Sequence, residues 1–425
     1  MGGRALRAPV GVPASVREMT AHDARAVVDA CFHGSSDGRV GVECEWFVVA
    51  TDDVRRLVPS SHVHATCEHV LAGPDPCRIT FEPGGQLELS TQPASGIDAA
   101  CRALARDMAS IRTALARDGY GLVAVGQDPA RHGRRVVDAP RYRAMERYFA
   151  SAWPSGRTMM CSTAALQVNV DVGRHGCVVP RWRLAHALGP VLAAAFANSP
   201  LACGRPSGWR SSRLAVWAAL DPTRTAPVHV SDDPADDWAR YALDARVMLV
   251  RHSCTHYEPV LEPLTFRAWM SGHERFGYPT VDDLRYHLTT LFPPVRPRGW
   301  LELRMIDSLP DPWWQVAVAV TVALLDDDDA AERAARVVER TTGMWRDAAR
   351  HATAHPLLAR AARDCFAAAL DALPRMGAAA STVDLVARYR DQYVARGRCP
   401  ADDRLAEWTR DGTLLPLPEP EWETT

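Results

Sequence analysis

Hydrophobic and polar residues alternate along several short stretches of the chain, and this two-residue period predicts β-strands. The predicted strands are residues 39–50, 78–91, 122–126, 164–172 and 299–306. Between them, apolar residues recur at every third or fourth position, which is typical of amphipathic helices. The predicted helices are residues 15–31, 97–117, 181–197, 236–250 and 281–291. Because strands and helices do not alternate strictly, the pattern indicates an α+β fold and not a doubly wound parallel sheet.

The last third of the chain carries only the helical pattern. It begins with Asp311 and Pro312, which suit an N-cap and a first helical turn, and it continues to about Trp408. The apolar run 313–325 is well below the ~20 residues needed to cross a bilayer, so it predicts a buried core helix. The acidic run 326–329 suits the start of the next helix, where negative charge complements the helix dipole.

Three predicted strands place polar side chains on one face and apolar side chains on the other, since residues two apart share a face. The polar set consists of Glu43 and Glu45 on the first strand, Gln167, Asn169 and Asp171 on the fourth, and Glu302 and Arg304 on the last. Glu82 and Glu88 would share a face by the same parity, unless residues 83–85 form a bulge that changes the count. The sequence therefore predicts an acidic face built from several strands.

This acidic face has two interpretations. One is an ordinary antiparallel sheet whose polar side meets water. The other is a metal site, because neighbouring carboxylates repel each other unless a cation neutralises them. Oxygen ligands of this kind suit Mg²⁺ or Mn²⁺, which commonly act together with nucleotide phosphates. The chain has no GxxxxGK[ST] motif and no GxGxxG after a strand, so metal ions and arginine would have to hold those phosphates.

Composition narrows the range of expected partners and of residues that could bind phosphate or carboxylate. The formal net charge of −2 gives no basic field for nucleic acid or an anionic membrane, so neither is expected as a partner. The chain contains no lysine, and all 49 positive side chains are arginine. Any phosphate or carboxylate clamp must therefore be an arginine, which binds such groups bidentately. The 11 cysteines form no CxxC pair and no leader segment is recognisable, so we expect a reducing, cytoplasmic location.

Five segments together resemble the glutamate-cysteine ligase family. Residues 41–45 resemble its first acidic strand, and residues 80–90 are close to its most distinctive motif. Residues 165–172, 213–225 and 300–307 resemble the strand with a polar ligand and an Asn, the substrate-binding loop and the closing Glu-x-Arg strand. The matches occur in family order over about residues 38–315.

The resemblance implies a fold related to glutamine synthetase, in which a curved antiparallel sheet forms a funnel with helices packed outside. Residues 1–15 are rich in Gly, Ala, Pro and Arg, so they are expected to be disordered. Residues 16–425 are expected to form a single catalytic domain. Within that domain, residues 38–315 would be the motif-bearing sheet core and residues 316–425 a helical buttress.

The resemblance also implies a reaction. The γ-carboxylate of L-glutamate attacks the γ-phosphate of ATP, and the amine of L-cysteine then displaces phosphate from γ-glutamyl phosphate to give γ-glutamylcysteine. The cofactor would be Mg²⁺, in roughly two or three ions, with Mn²⁺ as a possible replacement. The implied metal ligands are Glu43, Glu45, Glu82, Glu88, Gln167 and Glu302.

The remaining roles implied by the resemblance fall to arginine and asparagine. Arg304 would steady the transferring phosphoryl group next to Glu302, and Asn169 would contact substrate. Arg213 would hold the α-carboxylate of glutamate, a task that Arg210 could perform instead.

Three functions stay open at this point. Residues 218–221 depart from the more acidic and hydroxylated loop of relatives, so the second substrate could be another amine. A non-catalytic sensor of an amino acid or nucleotide is a third reading, although the retained acids and Arg304 argue against it. The Ala- and Arg-rich composition resembles that of actinobacterial proteins. That lineage has a member of the family that supplies γ-glutamylcysteine for ergothioneine synthesis, so the resemblance suggests the same pathway here.

Overall fold

The computed structural model describes residues 18–34, 37–71, 75–173 and 176–416. The predicted disorder of residues 1–15 lies outside these ranges. The strands are β1 (Arg39–Ala50), β2 (Arg78–Phe81), β3 (Leu87–Ser90), β4 (Ala94–Ser95), β5 (Tyr120–Val123), β6 (Ala165–Asp171), β7 (Leu201–Ala202), β8 (Arg205–Pro206), β9 (Leu249–Arg251), β10 (Tyr257–Pro259), β11 (Val295–Pro297) and β12 (Trp300–Asp307).

Helices account for most of the remaining chain. The first eight are α1 (Ala21–Asp29), α2 (Ser60–Cys67), α3 (Ile97–Arg117), α4 (Pro140–Ala152), α5 (Gly156–Ser162), α6 (Val178–Ala195), α7 (Ser212–Ala218) and α8 (Pro222–Thr225). The others are α9 (Pro234–Asp244), α10 (Phe266–Trp269), α11 (Val281–Leu288), α12 (Trp313–Asp326), α13 (Asp328–Val338), α14 (Trp345–His351), α15 (Pro356–Arg375), α16 (Ala380–Gln392) and α17 (Pro400–Asp411). Short 3₁₀ turns occupy Ala30–Phe32, Glu339–Thr341, Ala352–Ala354 and Val394–Arg396.

One antiparallel sheet organises the molecule. Its strand order is β11-β12-β6-β1-β3-β2, and β1 also pairs with β4 and β5. Within the described ranges the edge strands β11 and β2 do not pair with each other, so the sheet stays open. The long strand β1 lies at the centre because its twelve residues pair with four neighbours. The predicted α+β class is confirmed.

The apolar side chains of β1, β6 and β12 face the main core. Val42, Cys44, Trp46, Leu166 and Leu303 are all almost fully buried there, as the alternating pattern predicts. Helices α3, α6 and α12 contact this sheet, and they bury its apolar face. The opposite face carries the acids and stays accessible from a cavity.

The C-terminal part of the chain is helical, as predicted. In α12 every residue from Val316 to Leu325 is buried, which confirms a core helix. The acidic run does begin the next helix: the side chain of Asp327 accepts a hydrogen bond from the backbone N–H of Ala330, at the N-terminus of α13. Across the described residues, no helix is long and apolar enough to cross a membrane.

Several sequence predictions were wrong in detail, among them Asp311 as an N-cap, because the N-cap of α12 is Pro312. Residues 78–91 do not form one strand, because the chain reverses between β2 and β3, which pair antiparallel with Phe81 opposite Leu87. The predicted helix 236–250 ends at Asp244, and residues 249–251 form strand β9. Ala245 has an extended backbone, at φ −68° and ψ 144°, and its N–H makes the last helical bond, to the carbonyl of Tyr241.

Candidate active site

Strand register brings the predicted acids to one region of the sheet. Glu45 on β1 lies directly opposite Glu88 on β3. On the other side of β1, Glu43 lies opposite Gln167 of β6. Directly opposite residues in an antiparallel pair have side chains about 5 Å apart, so this pairing is close. The register therefore places one acidic row across three strands.

Glu82 reaches this row through the turn between β2 and β3. Its backbone N–H donates to the carbonyl of Gln86 at 2.9 Å, and the N–H of Gly85 donates to the carbonyl of Glu82 at 2.8 Å. Gly85 has φ +85°, a conformation that favours glycine. A Cβ on Gly84 would lie 2.2 Å from the carbonyl oxygen of Cys161, so only glycine fits against α5 there. The reversal brings carboxylate oxygens of Glu45, Glu82 and Glu88 within 4.8 Å of one another.

Burial and mutual repulsion govern the ionisation of these acids. Burial, reinforced by the neighbouring charge of Glu88, raises the pKa of Glu45 to about 7. Burial and the charges of Glu88 and Glu45 also raise the pKa of Glu82 well above its usual range. Burial, with Glu302 and Glu88 adding to it, raises the pKa of Glu43. A bound divalent cation would reverse this tendency, because it favours the charged carboxylate.

Hydrogen bonds orient three of the four acids. Glu45 accepts bonds from the backbone N–H of Ala165 at 2.9 Å and from Nε2 of Gln167 at 3.2 Å. Glu43 accepts a bond from Nδ2 of Asn169 at 2.8 Å, and the buried Oδ1 of Asn169 has no partner. An oxygen without a partner beside the acidic group suits a ligand or a cation.

Glu88 and Glu82 differ in their support. Glu88 accepts hydrogen bonds from the hydroxyls of Thr80 at 2.8 Å and Ser90 at 3.1 Å. In the described structure the carboxylate of Glu82 receives no hydrogen bond. Clustered carboxylate oxygens that form no ion pair match the donor set that Mg²⁺ or Mn²⁺ prefers.

The β12 end of the same face has opposite electrostatics. Glu302 is fully buried and accepts two bonds from Arg296, at 2.6 and 3.1 Å. Arg298 and Arg304 also lie 3.1 Å from its oxygens. Although burial opposes it, the charges of Arg296 and Arg304 lower the pKa of Glu302 well below its usual range. Glu302, predicted as a metal ligand, is thus already neutralised by three arginines.

Arg304 connects the two ends of the face. Its guanidinium donates to Oε1 of Gln167 and pairs with Glu302. Burial opposes its positive charge, but Glu302, Glu43 and Glu45 raise the pKa of Arg304 above its ordinary value. The backbone N–H of Arg304 donates to the carbonyl of Pro294, at a register irregularity of β12 between Leu303 and Ile306.

Two cavities meet at Arg304. The larger, about 960 Å³, is lined by Glu43, Glu45, Glu82 and Glu88, whereas Glu302 is not among its lining residues. The smaller, about 460 Å³, is mostly apolar and is lined by α7, α8 and α14. Arg304, Trp217 and Phe292 line both cavities. A molecule in the smaller cavity therefore lies next to the acidic face.

Arg213 and Arg210 are placed differently. Arg213 is buried, lines the smaller cavity and donates to the backbone carbonyl of Arg304 at 2.8 Å, while its Nη1 forms an ion pair with Asp307 at 3.7 Å but no hydrogen bond. Arg210 donates instead to Asp402 at 2.8 Å and lines neither cavity. Of the two candidates for the glutamate carboxylate, the geometry favours Arg213.

Sequence reasoning missed several residues of the larger cavity. Arg141 and Tyr142 of α4 line it, as do Arg296 of β11 and the nearby Arg298. Nε of Arg141 is buried without a partner, and its charge acts on Glu82. An arginine after Pro140 at a helix start gives no signal by itself, because only tertiary packing places α4 opposite the sheet.

Comparisons with known proteins show the family of the chain. Residues 39–417 match the family model for glutamate-cysteine ligase family 2. The chain is 43% identical over 389 residues to the glutamate-cysteine ligase EgtA of Mycobacterium tuberculosis. The aligned residues cover 89% of this chain and 88% of that protein. It is 42% identical over 372 residues to EgtA of Mycolicibacterium smegmatis, with 86% of each chain covered.

A more distant likeness is to a solved structure. The glutamate-cysteine ligase of Francisella tularensis, solved in complex with AMP, gives a TM-score of 0.56 at 12% identity and covers 90% of this chain and 87% of that one. At that identity the likeness concerns the fold alone. The family match and the two mycobacterial relatives show more: this chain belongs to glutamate-cysteine ligase family 2.

Proposed function

We propose that this chain, an ATP-dependent ligase by its family, joins the γ-carboxylate of L-glutamate to the amine of L-cysteine through γ-glutamyl phosphate. The observation that carries the proposal is the group of carboxylates from Glu45, Glu82 and Glu88 in the cavity that Arg304 also lines. Phosphoryl transfer requires mainly positioning and charge neutralisation. This cavity offers oxygen ligands for cations and a guanidinium for phosphoryl oxygens.

The acidic group fits Mg²⁺, in roughly two or three ions, with Mn²⁺ as a replacement. The proposed ligands are Glu43, Glu45, Glu82, Glu88, Gln167 and Glu302. Bound ions would neutralise the phosphate oxygens of ATP and orient its γ-phosphate. The raised pKa values of Glu45 and Glu82 support this assignment, since a cation takes the place of the proton that each carboxylate otherwise retains.

Arg304 and Glu302 act as a pair in this proposal. Arg304 contacts the transferring phosphoryl group, because it lies where the two cavities meet. Glu302 positions Arg304 through their 3.1 Å ion pair. Direct metal binding by Glu302 would require it to exchange at least one of its arginine partners for the ion. Arg141, on the opposite wall, offers a second cation for the nucleotide phosphates.

The smaller cavity suits the amino-acid backbone of glutamate. Two buried donors there make no hydrogen bond: Nη1 of Arg213, which lies 3.7 Å from Oδ1 of Asp307, and Nε1 of Trp217. A buried donor without an acceptor is costly, and a carboxylate would satisfy both. Glutamate held by Arg213 would extend its γ-carboxylate past Arg304 toward the acids. Asn169 would contact substrate from the sheet, where its free Oδ1 accepts a hydrogen bond from a substrate donor.

A second candidate keeps this chemistry and changes the amine. Ala218 and Ala219 line the smaller cavity and provide no polar group to select a thiol-bearing amino acid. An assay of ADP release with ATP, Mg²⁺ and glutamate, against cysteine and a panel of other amines and amino acids, separates the two candidates. We expect release to depend on cysteine. Equal release with another amine would favour the alternative, and no dependence on cysteine would contradict the first proposal.

Two further expectations extend the proposal. The identity to two mycobacterial EgtA proteins supports the interpretation that γ-glutamylcysteine serves ergothioneine synthesis. All eleven cysteines are unpaired thiols, which fits a reducing cytoplasm. Deleting the gene from its host should lower ergothioneine, and feeding γ-glutamylcysteine should restore it. Unchanged ergothioneine in the deletion strain would contradict the pathway without affecting the ligase proposal.

A further inference from the structure

A third cavity, which we call the outer basic cavity, lies apart from the two already described. It has a volume of about 740 Å³ and is lined by Arg55, Arg131, Arg134, Arg135 and Arg157, with His132 and a single acid, Glu146. It shares no lining residue with the larger cavity that contains the acids. Its wall is formed by the loop from residue 130 to 135 and by neighbouring residues of α4 and α5.

The positive charge of this cavity is only partly neutralised. Arg131 pairs with the buried Asp128 at 2.5 Å and also donates to the carbonyl of Val48. Glu146 is shared by Arg135 and Arg157, at 3.0 and 3.4 Å.

Two arginines remain without a carboxylate. In the described structure neither Arg55 nor Arg134 has an acid within ion-pair distance, and both are exposed. The cavity therefore combines arginines fixed by their acids with unpaired arginines that are free to bind an incoming anion. Arginine binds phosphate bidentately, so a phosphate group is the anion that best suits this set.

We propose that the outer basic cavity binds a phosphate group, either free or carried by a small polar ester. Apolar lining is restricted to Leu57, Ala130 and Gly133. That is too little to hold a purine ring, so a nucleotide is not the expected occupant.

The loop that forms the cavity also contacts the turn between β2 and β3, which carries Glu82. The backbone N–H groups of Val136 and Val137 donate to the carbonyl of Pro83 at 2.8 and 3.1 Å. Pro83 directly follows Glu82, one of the three clustered acids. A phosphate that fixes the outer side of the loop would also hold the turn that carries Glu82. Binding should therefore reduce hydrogen exchange in the loop and in residues 81–86 together.

The test uses the full chain in Mg²⁺-free buffer with two probes, inorganic phosphate and glycerol 2-phosphate. Calorimetry gives each Kd, and hydrogen exchange locates the protected segments. The double variant Arg55→Gln/Arg134→Gln should raise Kd roughly tenfold or more. The matched control Arg102→Gln/Arg117→Gln removes two exposed arginines of α3 and should leave Kd unchanged.

Phosphate could also occupy the larger cavity, which contains the acids and Arg304. The variant Arg304→Gln distinguishes that case. This variant should retain protection of residues 130–137. Tighter binding of glycerol 2-phosphate than of inorganic phosphate would identify an ester as the ligand, and the reverse would identify free phosphate. The proposal is overturned if the Arg55→Gln/Arg134→Gln variant binds both probes like the wild type. It is also overturned if protection from hydrogen exchange is confined to residues that line the larger cavity. Neither result bears on the ligase reaction.

Discussion

Two ends of one sheet face handle buried negative charge in opposite ways. At the hairpin end, Glu45, Glu82 and Glu88 lie together, and in the described structure no arginine bonds to them. Burial and repulsion raise the pKa values of the first two. At the β12 end, Glu302 is fully buried, yet the arginines around it lower its pKa. Burial opposes ionisation at both ends, so the difference lies in the partners.

This contrast assigns different tasks to the two ends. The β12 end carries its own counter-charges and is complete within the protein. At the hairpin end the described residues form no ion pair with the acids, and under the proposed function a bound cation would supply the counter-charge. Breaking an ion pair within the protein should lower folding stability. Removing an acid that has no ion-pair partner in the protein should lower only catalytic activity.

Glu302→Gln should have the largest effect. It leaves Arg296 and Arg304 buried without their shared carboxylate, which typically costs about 3–5 kcal/mol of folding free energy. Urea unfolding measures this loss, and activity should fall with it. Glu332→Gln, which breaks an exposed pair with Arg336, is the control and should change stability by less than about 0.5 kcal/mol. Wild-type stability of Glu302→Gln would show that the β12 end is not held by its ion pairs.

Glu45→Gln should separate chemistry from folding. Losing one ligand of the acidic group should lower kcat/KM by about 10²–10³-fold, the range for removing one electrostatic contact to a transition state. The metal-free fold should be as stable as the wild type or more so, because a repulsive charge is gone. ADP release and thermal unfolding together test both statements, with the exposed Glu68→Gln as control. A folded, fully active Glu45→Gln would refute the metal site.

Stability should depend on pH at the hairpin end. The pKa of Glu45 is raised to about 7, above its ordinary value of 4.5, so between these values the folded state retains a proton that the unfolded state releases. In the metal-free protein, the contribution of Glu45 to the free energy of unfolding is therefore greatest below pH 4.5 and is lost as pH rises toward 7. Mg²⁺ competes with that proton, so it should stabilise the protein more at pH 8 than at pH 5.5.

The melting temperature measures this effect. We expect the Mg²⁺-induced rise to be larger at pH 8 by on the order of 5 °C. The lowered pKa of Glu302 contributes nothing over this range, because Glu302 is ionised throughout it. Glu45→Gln should reduce the difference between the two pH values. An equal Mg²⁺ effect at both would contradict proton competition.

The sequence predicted the face better than it predicted the contacts on it. Strict alternation located β1 to the residue and separated Glu43 and Glu45 from the core, because register on a half-buried sheet follows the hydrophobic pattern. The same parity argument, applied across residues 78–91 as one strand, was wrong about the structure. Glu82 and Glu88 meet because the chain reverses at Gly85, and not because they lie six residues apart on one strand.

Arginine placement was harder to predict. Arg296 pairs with Glu302, but it lies on a three-residue strand between two prolines, where no period can be detected. Arg141 approaches the acids from a helix on the opposite wall, which is a long-range contact. Local pattern gives the face on which a side chain lies. It does not give the counter-charge that another element brings, and that counter-charge separates the two ends of the site.

The smallest expected effect concerns the support of a single ligand. Thr80→Val removes the 2.8 Å hydrogen bond to Glu88 but leaves the one from Ser90. Partners that orient metal ligands typically contribute 10–100-fold to metal affinity, and with Ser90 retained we expect roughly a tenfold rise in the Mg²⁺ concentration for half-maximal activity. Saturating Mg²⁺ should restore kcat, because no ligand atom is lost. Thr66→Val, whose hydroxyl bonds Asp118 away from the site, should leave the requirement unchanged. A fall in kcat that Mg²⁺ cannot restore would mean that Thr80 contributes more than the orientation of Glu88.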